Sequence, residues 1–190
     1  MLSVAYWDVS ELDIEKAAKY VSSDRLLKAS KLKKDTQQKE SLGAELLLSS
    51  MLGILFPQET LPPAISYDKN GKPHFKEHSN LFFNLSHSNS LVTCAISNKP
   101  VGIDLQYMRD FDIKLPGRFF TKDEQDFIFN STDTKKAFYT IWTKKEALLK
   151  CMGRGLCEIS STSVFEAEQQ GYSFTCDFFD GFALCVCTKN

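Results

Sequence analysis

Apolar positions recur along the chain with two different spacings, which predict a mixture of helices and short strands. Between residues 36 and 55 they recur at helical spacing, and this predicts one long packed helix. Asn70-Gly71 lies inside the strand-like segment 65–75 and is a strong signal for a two-residue hairpin turn. The other elements predicted in this half are a strand at 2–8, helices at 13–20 and 24–33, and strands at 81–85, 91–97 and 101–106.

The second half of the chain repeats this arrangement. Its pattern predicts helices at 122–130 and 134–152 and strands at 163–167, 172–179 and 181–188. The segments SLVTCAIS (90–97) and GFALCVCT (181–188) share one pattern and each ends a hairpin, although ordinary strand composition would produce the same likeness. We therefore predict an α+β fold of two similar lobes, residues 1–100 and 101–190, each a small antiparallel sheet packed with a long helix.

Composition narrows the class of protein. With 190 residues, 43% of them apolar, the chain can bury a core, and its net charge of −1 predicts no general attraction to nucleic acid or to a membrane. The first residues lack the pattern of a signal peptide, no segment is long enough to span a bilayer, and the six cysteines include no CxxC pair for zinc. We predict a cytoplasmic protein, and two lobes in one chain make a monomer sufficient.

Three segments carry groups suited to binding a phosphate. Residues 25–39 hold six basic residues, Lys28 and Lys31 among them, against one acid, although such a run is usually a solvated helix face. NLSHS (84–88) contains His87, either a hydrogen-bonded turn residue or an imidazolium donor, and the turn NGKPHF (70–75) contains Lys72. No GxSxG, GxxxxGK[ST] or GxGxxG motif is present, so neither a hydrolase nucleophile, a P-loop nor a dinucleotide site is predicted.

The segment WTKKEALLKCMGRGL (142–156) predicts a helix that stops at Gly153. Glu146 and Lys150 lie one turn apart, so both project from the same helical face. Taken alone, the segment indicates a solvated helix with one surface ion pair and a glycine cap, and Trp142 belongs to the core.

The strand VGIDLQ (101–106) carries a second acid. Alternation sets Gly102, Asp104 and Gln106 on one face of this strand. Asp104 and Glu146 together would suit Mg²⁺, which prefers one or two carboxylates, if the helix packs across the strand. Taken alone, the strand indicates an acid at a strand end that faces water.

The order of these segments is more specific than any one of them. GKP, NLSHS, VGIDLQ, RFFTKDE and WTKKEALLKCMGRGL follow one another between residues 71 and 156. This set resembles the 4′-phosphopantetheinyl transferase superfamily in its larger, Sfp-type branch. The family's blocks are a G-K-P turn, N-x-S-H-S, G-[IV]-D-x-E, R-F-F-x-x-x-E and W-x-x-K-E-[AS]-x-x-K-x-x-G-x-G-L. The N-terminal third and the C-terminal tail match only in general character.

The resemblance implies two similar lobes with the active site between them. It implies an enzyme that uses Mg²⁺ to transfer the 4′-phosphopantetheine arm of coenzyme A to a serine of an acyl or peptidyl carrier protein, releasing 3′,5′-ADP. Matched block by block, Asp104 and Glu146 are expected to bind the metal, and Glu146 is also expected to accept the serine proton. Lys150 is expected to contact the phosphate, and Glu124 is the acid of the R-F-F-x-x-x-E block. The residues expected to bind the cofactor are Lys72, Ser86, His87 and Lys145. His87 is expected at the 3′-phosphate, with Lys28 and Lys31 of the basic run beside it.

One position departs from the family's pattern. Where the family often has a second acid two residues after the aspartate, this chain has Gln106. Its carboxamide oxygen can hold Mg²⁺ weakly or through water but adds no charge. Two alternatives therefore stay open, another Mg²⁺-dependent phosphotransferase that uses coenzyme A and a coenzyme A-binding module without catalysis. The pathway of the carrier protein (fatty acid, polyketide or peptide synthesis) is not indicated.

Overall fold

The first half of the chain folds as a three-stranded sheet covered by one long helix. The computed structural model describes residues 1–189. The elements are β1 (Leu2–Asp8), α1 (Ile14–Ala17), α2 (Ser23–Ser30), α3 (Asp35–Leu55), β2 (Ile65–Tyr67), β3 (Pro73–Phe75), β4 (Phe82–Ser88) and β5 (Leu91–Ser97). The strands of the sheet lie in the order β1-β5-β4, all antiparallel, and Leu48 and Leu52 of helix α3 pack against Phe83 of β4.

The second half forms a sheet of its own. The elements are β6 (Val101–Tyr107), α4 (Leu115–Phe119), α5 (Lys122–Phe129), α6 (Thr134–Met152), a 3₁₀ helix (Leu156–Ser161), α7 (Val164–Gln169), β7 (Tyr172–Phe179) and β8 (Phe182–Lys189). The three strands lie in the order β6-β8-β7, and the long helix α6 follows β6 in the chain as α3 follows β1. The prediction of an α+β fold with small antiparallel sheets and packed helices is confirmed.

Several predicted elements differ from the structure, and helices α1 and α2 each end three residues before the predicted limit. The predicted strand at 163–167 is wrong, because this segment forms helix α7, capped by the Ser163 hydroxyl, which accepts a hydrogen bond from the Glu166 N–H (3.3 Å). Strand β4 continues to Ser88, three residues beyond its predicted end. The loop of the predicted hairpin has five residues, 68–72, instead of two, because the Asp68 carboxylate accepts hydrogen bonds from the N–H groups of Asn70 (2.8 Å) and Lys72 (2.9 Å).

The two sheets meet along strands β4 and β6. Val101 and Ile103 of β6 pack against Ala95 of β5, and β6 pairs with β8 along one edge only. Along its other edge, alternate side chains of β4 accept hydrogen bonds from the backbone of β6. These pairs, called the inter-sheet seam below, are Asn84 Oδ1 with the Ile103 N–H (2.9 Å), Ser86 Oγ with the Leu105 N–H (3.2 Å) and Ser88 Oγ with the Tyr107 N–H (3.0 Å).

The seam explains the alternation in NLSHS. Asn84, Ser86 and Ser88 point toward β6, so the residues between them, including His87, point to the opposite face of β4, where α3 lies. The motif therefore places side chains on both faces of β4.

None of the helices between residues 1 and 189 combines the length and apolar content of a membrane crossing.

Candidate active site

Gly102 lets helix α6 lie directly on strand β6. A Cβ atom at this position would lie 2.0 Å from the Ala147 carbonyl oxygen and 2.4 Å from the Cys151 nitrogen, both backbone atoms. Any side chain would therefore force the helix away from the strand. Because Asp104 is two residues further along the same face of β6, this close packing brings its carboxylate to the side of α6 that carries Glu146 and Lys150.

The Asp104 carboxylate is the centre of a buried polar cluster, with only 2% of the residue exposed. Its Oδ1 accepts hydrogen bonds from Lys150 Nζ (2.6 Å) and Ser86 Oγ (3.1 Å), and its Oδ2 accepts one from Gln106 Nε2 (3.0 Å). Asp104 thus does not face water as its strand alone suggested. Lys150 reaches across to β6 for its ion pair, so the expected surface pair with Glu146 is wrong.

Glu146 projects into the same space without a direct partner. The residue is 8% exposed, and no group within residues 1–189 forms a hydrogen bond or ion pair with its carboxylate. Burial raises the pKa of Glu146, the negative charge of Asp104 adds to this rise, and Lys150 opposes both, so that the pKa lies at about 7. Two carboxylates therefore share a region in which the protein supplies one positive charge.

This donor set fits a hard divalent cation such as Mg²⁺. A second positive charge between Asp104 and Glu146 would allow both carboxylates to ionise, and the unpartnered Glu146 is available to bind it. The amide N–H of Gln106 donates a hydrogen bond to Asp104, so the carbonyl oxygen of Gln106 is available to a water or to the ion. The described part of the chain contains no cluster of three or more acid, histidine or cysteine ligands. Waters and substrate oxygens would have to complete the coordination.

Lys145 does not lie at the surface of this site, which corrects its expected role in cofactor binding. Its ammonium pairs with Glu124 at 2.6 Å, and both side chains are fully buried. Glu124 also accepts hydrogen bonds from the N–H groups of Thr121 (2.8 Å) and Val164 (2.9 Å). The pair therefore connects the start of α5, the middle of α6 and the start of α7, and it lies inside the C-terminal half of the chain.

Ser86 and Lys72 are also engaged with the protein itself. The Ser86 hydroxyl donates to Asp104 and accepts from Lys150 Nζ at 3.1 Å. Lys72 Nζ donates to the carbonyl oxygens of Cys151 (2.8 Å) and Val101 (3.2 Å). These bonds hold parts of the site in position, and the contacts of both residues with the cofactor stay predictions. A cavity of about 200 Å³ adjoins them, lined among others by Lys150, Arg154 and Asn84.

A second, basic cavity lies on the other side of β4. It has a volume of about 360 Å³ and is lined among others by His87, Arg25 and Lys28. The imidazole of His87 is half exposed, and its Nδ1 lies 3.1 Å from Glu40 Oε2. Burial alone would raise the pKa of Glu40, but the hydrogen bonds from His87 and the Ser90 N–H outweigh it and lower the pKa.

Helix α2 supplies the cations of this cavity. Lys28 donates to the Tyr67 hydroxyl, and Arg25 Nε pairs with Glu45 Oε2 at 3.0 Å. Lys31 is the C-cap residue of α2 and is exposed, and it is absent from the residues that line the cavity. Arg25 lines the cavity although only Lys28 and Lys31 of the basic run were predicted at the cofactor. Its spacing of three residues from Lys28 was the available signal, since both then share one helical face.

Comparison with known proteins adds an independent line of evidence. The family model described as the 4′-phosphopantetheinyl transferase superfamily matches residues 100–187. The 4′-phosphopantetheinyl transferase HetI of a Nostoc species is 32% identical over 166 residues, covering 83% of this chain and 70% of HetI. The transferase psf-1 of Bacillus pumilus is 29% identical over 175 residues, covering 91% and 75%. Sfp of Bacillus subtilis is 26% identical over 150 residues, covering 78% and 67%.

Proposed function

The chain belongs to the 4′-phosphopantetheinyl transferase superfamily, and we propose that it transfers the 4′-phosphopantetheine arm of coenzyme A to a serine of an acyl or peptidyl carrier protein. The single observation that carries this proposal is the cluster of Asp104, Glu146 and Lys150, in which a buried carboxylate without a direct partner adjoins an ion pair. Such a cluster suits phosphoryl transfer, which needs a positive charge beside the negatively charged phosphate oxygens and a group that accepts a proton.

Each residue of the cluster has a separate task in this reaction. The serine oxygen attacks the phosphorus that carries the pantetheine arm, and the bond to the 3′,5′-ADP leaving group breaks. Glu146 accepts the serine proton directly or through a water. Lys150 stabilises charge on the phosphate oxygens. Asp104 holds Lys150 in place through the contact of 2.6 Å.

Asp104 and Glu146 would hold Mg²⁺, with Gln106 contributing through a water. When bound, the ion supplies charge neutralisation on the pyrophosphate oxygens. Because Gln106 adds no charge, the protein's own contribution to the ion is two carboxylates. The need for a divalent cation is thus part of the proposal and is tested by chelation below.

The basic cavity at His87 is our proposed site for the 3′-phosphate of coenzyme A. Arg25 and Lys28 line it together with the imidazole, and all three can donate charge-assisted hydrogen bonds to a phosphate. Such bonds contribute roughly 1.5–3 kcal/mol each. His87→Ala should therefore lower kcat/KM for coenzyme A about tenfold to a hundredfold. Dephospho-coenzyme A lacks this phosphate, so its kcat/KM should be almost unchanged, and equal losses for the two substrates would contradict the assignment.

We also propose that the two halves, 1–100 and 101–190, are related lobes of an internal pseudo-dimer that works as a monomer. The support is the equal strand order of the two sheets, β1-β5-β4 and β6-β8-β7, with α3 and α6 at equivalent places in the chain. The active site then lies along the inter-sheet seam, where the lobes meet. The six free cysteines suit a reducing compartment, which supports a cytoplasmic location.

The deciding experiment measures the intact mass of apo carrier proteins after incubation with the enzyme and coenzyme A. Mg²⁺ is present in one arm and excess chelator in the other. We expect the mass of one phosphopantetheine arm to be added only with Mg²⁺. Full activity in chelator would refute the metal role. Binding of coenzyme A without modification of any carrier in a broad panel would indicate the non-catalytic module, and phosphoryl transfer to another acceptor would indicate a different phosphotransferase.

A further inference from the structure

Two cysteines face each other across the second sheet, away from the groups used in the proposed reaction. Cys176 of β7 and Cys185 of β8 are directly opposite in the antiparallel ladder, and their sulfur atoms lie 2.6 Å apart. Both are free thiols. We propose that Cys176 and Cys185 are a thiol–disulfide site, which forms a reversible cross-strand disulfide with a small-molecule disulfide such as oxidised glutathione.

The backbone already satisfies the main geometric requirement. Residues directly opposite in an antiparallel pair have Cα atoms about 4.5–5.5 Å apart, within the range that a disulfide tolerates. Both side chains point to the face covered by α6, where they pack with Ala147 and Leu148. The two sulfur atoms already touch, so the bond can form with little movement of either strand.

The two thiols differ in access, and this sets the order of events. Cys185 is fully buried, whereas Cys176 lies on the edge strand β7 and is partly exposed. The neighbouring Cys185 thiol holds the pKa of Cys176 below its usual value, burial opposes this, and the ammonium of Lys144 helps to lower it. Burial raises the pKa of Cys185. Cys176 is therefore the thiol that reacts first with an external disulfide.

The chemistry balances in two exchange steps. The Cys176 thiolate attacks one sulfur of oxidised glutathione, forms a mixed disulfide and releases one glutathione thiolate. Cys185 then loses its proton and attacks the sulfur of Cys176, which forms the cross-strand bond and releases the second glutathione. The protein loses two protons and two electrons, and the oxidised glutathione gains them. Excess dithiol reverses both steps.

The site borders the proposed active site but does not use its groups. Cys185 is the ladder partner of Asp104 on its other side, so Asp104, Cys185 and Cys176 form one row across the sheet. Cys151 and Cys187 lie in the same buried cluster, so a second thiol pairing is available. It joins α6 to β8 and would give a different linkage, which peptide mapping distinguishes.

The test uses the full chain carrying Cys157→Ser, because Cys157 is exposed and would add intermolecular reactions. The reduced protein is incubated with oxidised glutathione, and remaining thiols are alkylated before intact-mass and peptide analysis. We expect the loss of two hydrogens and a linked peptide pair containing Cys176 and Cys185. With Cys185→Ala in the same background, Cys176 should instead retain one glutathione, because the resolving thiol is absent. Cys176→Ser should acquire neither modification.

Thermal unfolding gives a second readout that does not depend on turnover. A disulfide that closes a loop of this length should raise Tm by about 5 °C or more in a chain of this size, reversibly with dithiol. Full alkylation of both thiols after oxidation, or a linkage between Cys151 and Cys187 in their place, would overturn the proposal. An unchanged Tm in protein whose mass shows the linkage would refute the stabilising effect of the bond.

Discussion

Replacing Glu146 with glutamine should stabilise the metal-free protein while removing its activity. The rise in the pKa of Glu146 from 4.5 to about 7 means that the folded protein holds this proton more tightly than the unfolded chain does. At about 1.4 kcal/mol per pH unit, the ionised carboxylate costs the folded state about 3 kcal/mol. Glutamine keeps the shape of the side chain but has no charge, so the variant avoids this cost.

The sign of the effect sets its pH dependence. Below pH 4.5 the carboxyl is protonated in both states, so wild type and Glu146→Gln should differ little. As pH rises toward 7, the wild type loses stability relative to the variant, and above pH 7 the difference is constant. Measured in chelator at pH 8, the variant should unfold about 6–12 °C above the wild type, since 1 kcal/mol shifts Tm by about 2–4 °C in a chain of this size.

Differential scanning fluorimetry between pH 5 and pH 8.5, with and without Mg²⁺, measures this directly. Mg²⁺ should raise Tm in the wild type at pH 8 much more than in Glu146→Gln, because the amide does not bind the ion well. The exposed Glu11→Gln is the matched control and should leave the pH profile unchanged. A Glu146→Gln protein that is less stable than wild type at pH 8 in chelator would refute the reasoning. So would a Tm difference that does not vary with pH.

Three further substitutions test the parts that surround Glu146. Gly102→Ala should lower both Tm and kcat, because its Cβ would lie 2.0 Å from a backbone oxygen of α6. Gly117→Ala is the control, because its Cβ would meet nothing within 4 Å, and equal effects of the two substitutions would contradict the close packing of α6 on β6. Gln106→Glu should lower the Mg²⁺ concentration needed for half-maximal activity while lowering Tm in chelator, and an unchanged requirement would show that position 106 does not reach the ion. Lys145→Met should lower the free energy of unfolding, measured in urea, by about 3–5 kcal/mol, because it leaves the Glu124 charge buried and unpaired. The double variant with Glu124→Leu should recover much of that loss. Additive losses would show that the two side chains are not coupled.

The sequence alone predicted most of the local elements and which residues form the candidate site. The long helices and most strands follow from apolar periodicity, which depends on neighbouring residues and not on the rest of the fold. The five ordered segments identified the family, and Asp104, Glu146 and Lys150 do lie together in the structure. Where local pattern was ambiguous, the prediction failed. Residues 163–167 fit either period, and their capping and packing make them a helix.

Only the tertiary structure decided which groups partner one another. Lys150 could pair with Glu146 on its own helix, but the absence of a side chain at Gly102 brings α6 so close to β6 that Asp104 is the nearer carboxylate. Lys145 precedes Glu146 by one residue, yet its direction on the helix sends it to a fully buried partner, Glu124. The partner of each charged side chain depends on segments that are distant in the chain and on which charges are desolvated by folding. Neither can be predicted from the spacing of residues along one element.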